Sequence, residues 1–360
     1  MNGFRGGDVL IALERLRNGD EDVATPFRAG AASQCARLST SVQIRLARPA
    51  DSFISVFSEM SDATVIRQPS EPRRSLAVVV ACGPLVVLPL LTLPLIHHIP
   101  PWAFMWLMAF ALFTGFKWLT FATSHAPAAT VPIQLLYLAA WPGLAPDEFI
   151  RPLPESRRPT HADWFPPARN LLVGLLLVTL VAPRIATPLV RGWTGMVGSI
   201  LVLHFGAFHL LALAYRSFGL DARPLMLQPL RSGSLAEFWG RRWNTAFAAL
   251  AGRQVFRPLA RRIGARHAIA LVFVGSGLIH EAVITLPAGG GYGLPTLFFS
   301  LQAVGIGLER HAAFARRPLL GRALAWLFLI GPLGCLFPPV FVERVILPML
   351  DSIYSFLPTP

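Results

Sequence analysis

The chain has 360 residues, of which 54% are hydrophobic and only 14% charged, with a mean hydropathy of +0.54. A soluble domain carries roughly 25% charged residues, so the composition excludes an ordinary soluble protein and points to a membrane-embedded one. The net charge is +13, and Lys117 is the only lysine among 32 basic side chains; with no nucleic-acid-binding pattern present, this excess reads as topology-setting basic loops and no nucleic-acid partner is expected.

Residues 1–75 mix charges, Ser, Gly and Ala with short apolar runs. No secretory signal is visible there, and the region reads as a weakly ordered cytoplasmic extension. The membrane-embedded part is expected over 76–358. Leu76–Ile96 predicts a first span and Trp102–Thr123 a second, with Trp102 and Trp106 as interfacial anchors. Ala129–Trp141 is apolar but too short to cross, so it reads as re-entrant or interfacial. Residues 142–168 form a Pro-rich polar loop, followed by spans at Leu171–Val190 and Thr194–Tyr215. The basic segment 216–266 holds ten arginines against Asp221 and Glu237, which places it in the cytoplasm or at its interface. Ala268–Leu286 spans again, a glycine-rich turn AGGGYG follows, and Leu294–Leu308 is a short span or buried helix. Leu319–Val342 is another span and Ile346–Leu357 a partial one. The fold class is therefore all-α, a polytopic transmembrane bundle of about seven crossings. The loops 124–168 and 310–322 fall on the cytoplasmic side with 216–266. No inverted repeat is visible, which weakens a transporter reading.

Cys35, Cys82 and Cys335 are far apart and form no metal-binding pattern, so no metal is expected. Lys117 is expected to snorkel to the interface. His204 and His209 read as interhelical hydrogen-bond partners. Gln302 and Glu309 lie in the short segment after the glycine-rich turn, with Glu309 near its cytoplasmic end.

Two stretches carry candidate chemistry. The first is Ser234–Asn244, SLAEFWGRRWN, aromatic-rich and too polar to span. On residue type alone the plainer reading is a basic amphipathic interfacial helix anchored by Phe238, Trp239 and Trp243. The second is Gly275–Glu281, GSGLIHE, within an apolar span. An ionisable pair inside the membrane is a functional-site candidate, although Glu281 also reads as a polar contact at the span's end. Gly275, Ser276 and Gly277 allow close approach of a backbone or ligand.

FWGRRWN followed after about 35 residues by SGLIHE resembles the wax synthase branch of the membrane-bound O-acyltransferase family, and the upstream PLMLQPLRSGSLAEF extends the likeness to roughly residues 165–310. The resemblance implies acyl transfer from acyl-CoA to a hydroxyl group within the membrane. It implies that His280 is the catalytic histidine and Asn244 its partner. Acyl-CoA is then a co-substrate, the second substrate is a long-chain alcohol or another hydroxylated lipid, and no further cofactor is expected.

The residue types suit those roles. A neutral imidazole at His280 can take the proton of the attacking hydroxyl, and Asn244 can donate an N–H to the acyl carbonyl or its oxyanion. Arg241 and Arg242 are candidates for the CoA phosphates, although adjacent residues on a helix cannot both face one ligand. Trp239 and Trp243 are candidates for packing on the pantetheine arm or on lipid. His280 follows Arg266 by 14 positions, or roughly 20 Å of helix, a distance that extended pantetheine matches. The thioester is already activated, and no GxSxG nucleophile motif occurs. The same chemistry on a sterol, a glyceride or a natural-product hydroxyl stays open, as does, from another class, a transporter using His280 and Glu281 as a proton relay. Arginine without lysine, beside abundant Ala, Leu and Pro, suggests a GC-rich genome and hence a bacterial inner membrane.

Overall fold

The computed structural model describes residues 72–311 and 317–356. The expected extension over 1–75 lies, but for its last four residues, outside the described residues. A helix is already running by Pro72, four residues before the expected start of the first span.

Among the described residues five helices are long and apolar enough to cross a bilayer: Pro101–Ala122, Glu155–Arg184, Pro188–Ser217, Ala265–Ala288 and Pro318–Leu336. Shorter apolar helices occupy Val80–Leu95, Val131–Ala140 and Leu294–Glu309. In chain order we label Pro72–Thr92 as α1, Pro101–Ala122 as α2, Val131–Ala140 as α3, Glu155–Arg184 as α4 and Pro188–Ser217 as α5. Helix α6 comprises Leu235–Glu237 and a π turn over Phe238–Arg242. Thr245–Ala251 is α7, Ala265–Ala288 α8, Leu294–Glu309 α9, Pro318–Leu336 α10 and Leu347–Tyr354 α11. The chain is thus an integral membrane protein of helical-bundle class. About seven crossings are expected; the shorter apolar helices at the end of α1 and in α9 are the candidates for the two beyond the five long ones. Helix α3 has ten residues, about 15 Å, and is too short to cross.

Helix starts follow local chemistry. Proline sits in the first turn of α2, α5, α9 and α10, where its missing N–H costs nothing and its fixed φ favours helix. The AGGGYG turn between α8 and α9 places Gly289, Gly291 and Gly293 at φ +61°, +78° and +83°, a region closed to most side chains. The outer faces stay apolar: Leu91, Phe110, Leu172 and Leu327 are all more than half exposed. A surface of that kind aggregates in water and is at home in hydrocarbon.

Three expectations need correction. Residues 142–168 are not all loop: after a single turn at Glu155–Arg157, the α-helical part of α4 begins at His161, with a reciprocal cap between Thr160 and Asp163. The span expected over 319–342 ends at Leu336, and helix resumes only at Pro339. Lys117 does not snorkel: it is 2% exposed, its ammonium donates to Trp141 O at 2.6 Å and Gly143 O at 2.5 Å, and it lies 3.4 Å from the Tyr137 ring centroid. The carbonyls of Trp141 and Gly143, in the segment just past α3, offer this side chain a nearer partner than the interface does.

The two polar segments expected on the cytoplasmic side are joined to each other. Leu153 N–H donates to Gly219 O at 2.8 Å, Glu148 pairs with Arg223 and Arg253 at 3.3 Å each, and Asp221 lies 3.9 Å from Arg157. Residues 142–168 and 216–266 therefore share one face of the bundle.

Candidate active site

Both sequence motifs line one cavity of about 2050 Å³. Small-molecule pockets usually span about 300–1,000 Å³, so this one exceeds what a single small molecule needs. Its walls are apolar over most of their extent, and six arginines line it at the polar face: Arg157, Arg158, Arg169, Arg216, Arg231 and Arg242.

His280 projects into the cavity from α8. Its Nδ1 lies 2.7 Å from Ser276 O, one turn earlier. A carbonyl only accepts, so this bond requires the proton on Nδ1 and leaves the Nε2 lone pair as the basic site. The ring also packs on Phe299, with centroids 4.4 Å apart.

Helix α6 is held opposite. Trp239 donates Nε1–H to Gln302 Oε1 at 3.3 Å and packs on Phe273 and Phe299. Phe299 therefore touches both Trp239 and His280, so the two motifs meet through one ring. Trp243 stacks on Phe238 at 5.5 Å and lies 6.4 Å from Phe205 of α5. Both tryptophans pack mainly on protein, and both also line the cavity.

Asn244 has φ +44° and ψ +61°, a left-handed conformation that asparagine tolerates better than most residues. Its Oδ1 accepts the Phe247 N–H at 3.3 Å and caps α7. With the oxygen engaged, the side-chain N–H groups are what Asn244 has left to offer the cavity it lines.

The two arginines of the motif part company. Arg242 lines the cavity, but Nε and Nη2 reach Glu237 Oε1 at 2.7 and 2.6 Å, and Nη1 reaches Leu227 O and Gln228 O at 3.2 and 3.3 Å. Arg241 is exposed and stands outside the lining. Glu281 is a fastening between helices. Its Oε1 accepts from Thr296 N–H at 3.1 Å and Thr296 Oγ1 at 2.9 Å, and its Oε2 from Thr285 Oγ1 at 2.5 Å. These bonds tie the end of α8 to the start of α9. Of the small residues, Gly277 faces Thr296 closely, whereas Gly275 has open space around it. His204 and His209 also line the cavity.

Sequence reasoning does not single out the five cavity arginines outside the motif. A signal exists in the SRRP run at 156–159, but its prolines dominate the reading of that loop. Gln302 has no role that the sequence reveals, because its bond to Trp239 needs the fold.

Comparison with known proteins agrees with the motifs. Residues 222–301 match the family described as membrane bound O-acyl transferase. The protein named probable long-chain-alcohol O-fatty-acyltransferase 7 of Arabidopsis thaliana is 31% identical over 146 residues, covering 35% of this chain and 42% of that protein. Number 3 of the same series is 30% identical over 153 residues, covering 38% and 44%. The long-chain-alcohol O-fatty-acyltransferase of Simmondsia chinensis is 34% identical over 77 residues, covering 19% and 22%. The alignments span less than half the length of each of these relatives. The family model agrees with the membrane-bound O-acyltransferase resemblance first drawn from the motifs, the relatives' names agree with its wax synthase branch, and residues 222–301 contain both motifs.

Proposed function

We propose, from this family resemblance, that the chain is an acyl-CoA-dependent O-acyltransferase that joins a fatty acyl group to a long-chain alcohol, giving a wax ester. The carrying observation is the His280–Ser276 bond, which leaves Nε2 as a base in the wall of a large apolar cavity. Nε2 takes the hydroxyl proton as the alcohol oxygen attacks the thioester carbonyl. Asn244 N–H stabilises the carbonyl oxygen as it gains charge. The C–S bond then breaks, and the CoA sulfur leaves with the proton that His280 took. No covalent enzyme intermediate is required.

The CoA phosphates are assigned to the arginine-lined face of the cavity. Arg157, Arg158 and Arg231 line that face, each with a single side-chain partner, Asp221 at 3.9 Å, Glu155 at 3.9 Å and Gln228 at 2.9 Å, and so keep forked donors for a ligand, whereas Arg242 is committed to Glu237 and two carbonyls and acts by holding the turn. Arg241 remains a phosphate candidate only from outside the cavity. Trp239 and Trp243 form wall for the acyl or pantetheine chain. No metal and no further cofactor enters this scheme. The relatives named above are plant proteins, so they lend no support to a bacterial inner membrane, which rests on the arginine-rich composition alone.

The test is ester synthesis by membranes holding the full chain, supplied with labelled palmitoyl-CoA and, in parallel, hexadecanol, a sterol or a diacylglycerol. Labelled wax ester with hexadecanol is the expected result. Ester only with another acceptor would keep the chemistry and replace the alcohol. No ester with any acceptor from a folded protein would overturn the reading.

A further inference from the structure

Helix α9 carries side chains at helical spacing that the mechanism above does not use. Thr296, Phe299, Gln302, Gly305 and Glu309 recur every three or four residues and so form a row that winds around the helix along its length. Each touches one of the two motifs. Thr296 bonds Glu281, the neighbour of His280. Phe299 packs on both His280 and Trp239. Gln302 is fully buried; it accepts from Trp239 and donates to Phe328 O at 2.7 Å and Phe298 O at 3.4 Å. Gly305 leaves room for the fully buried Leu235. Glu309 accepts from the backbone N–H groups of Leu235 and of Ala236, the latter at 3.2 Å.

Helix α6 cannot set its own position. It has eight residues, and isolated helices that short do not persist. Its first four N–H groups are satisfied by Glu309, by Ser234 Oγ at 3.0 Å and by Ser234 O at 3.0 Å. A carboxylate on a helix N-terminus is favourable in hydrogen bonding and in dipole alike. Glu309 thus holds the N-terminal end of α6 and Gln302 holds its middle at Trp239, so the short element that runs on into Asn244 is registered against α9. The end of α8 that carries His280 is registered against the same helix by Glu281 and Phe299. The family match stops at residue 301, so Gln302 and Glu309 lie beyond it.

We propose that α9 is an alignment helix, and that Glu309 and Gln302 are positioning residues that hold Asn244 and Trp239 at their working distance from His280. The proposal rests on the acyl-transfer reading for its kinetic arm only. Misplacing a reacting group by about 1 Å costs on the order of a hundredfold in rate, so loss of either anchor falls on kcat more than on substrate affinity.

The experiment compares purified full-length wild type with Glu309→Ala, Glu309→Gln and Gln302→Leu. Two quantities are read: kcat and KM for palmitoyl-CoA, and hydrogen exchange of the backbone amides over 235–244. Glu309→Ala is expected to lower kcat by about tenfold to a hundredfold, with KM within about twofold. The Leu235 and Ala236 amides exchange faster in that variant. Glu309→Gln keeps an acceptor oxygen and recovers part of the rate. Gln302→Leu and Trp239→Phe combine less than additively, because they remove one bond. Wild-type kcat in Glu309→Ala overturns the proposal, as does a fall in kcat with wild-type exchange over 235–244. Should Glu309→Ala not accumulate, Glu309→Gln and Gln302→Leu carry the same comparison. Should wild type form no ester at all, the acyl-transfer reading fails, and unchanged exchange in the variants alone decides against alignment.

Discussion

Replacing Arg242 by alanine separates ligand binding from the holding of a turn. The side chain makes a forked pair with Glu237 at 2.6 and 2.7 Å and two bonds to the carbonyls of Leu227 and Gln228. A charge-assisted bond contributes about 1.5–3 kcal/mol when buried. Here the two side chains are 26% and 31% exposed, so screening brings the pair down to about 1 kcal/mol. The carbonyl bonds add about 1 kcal/mol, and a loss of about 2 kcal/mol corresponds to at most about 30-fold in rate. The assay is steady-state ester synthesis at varied palmitoyl-CoA, normalised to folded protein. Arg242→Ala is expected to lower kcat within that limit and to leave KM for palmitoyl-CoA nearly unchanged. Arg242→Lys gives little rescue, since one ammonium cannot span Glu237 and two carbonyls. A raised KM with unchanged kcat would refute this reasoning and return Arg242 to the phosphate site.

Other substitutions test neighbouring claims. Asn244→Gly keeps the left-handed backbone at little capping cost but removes the side-chain N–H, so activity falls at least tenfold while the midpoint of thermal inactivation barely moves; retained activity would make Asn244 a purely structural residue. Gly277→Ala brings a Cβ to 2.6 Å from Thr296 Cα and lowers both stability and activity, whereas Gly275→Ala meets open space and leaves both unchanged; equal effects at the two sites would contradict the α8–α9 contact. Lys117→Met leaves the Trp141 and Gly143 carbonyls without their donor and destabilises by about 2–4 kcal/mol, read as a lowered inactivation midpoint in detergent. An unchanged midpoint would return Lys117 to the interface.

The spans and the two motifs were legible because both rest on local signals, apolar length and residue identity. The resemblance implies that His280 and Asn244 are partners; that both line one cavity, and that Phe299 links His280 to Trp239 of the other motif, comes from the fold. Longer-range bonds were not legible. Lys117 reads as an interfacial cation until Trp141 O and Gly143 O, 24 and 26 residues away, are brought to it. Glu281 looks like half of a proton relay until the glycine-rich turn folds Thr296 back onto it. Asn244 shows the opposite limit: its identity suggests chemistry, but the positive φ and the cap on α7 give asparagine a structural reason as well. The helical start at His161 was masked by Pro166 and Pro167, which read as loop.

The central claim is that His280 Nε2 is the base. The most direct measurement compares wild type with His280→Ala at equal folded amounts in membranes, supplied with labelled palmitoyl-CoA and hexadecanol. The account predicts labelled wax ester from wild type and none above background from the variant. Ester formation at the wild-type rate by His280→Ala would contradict it.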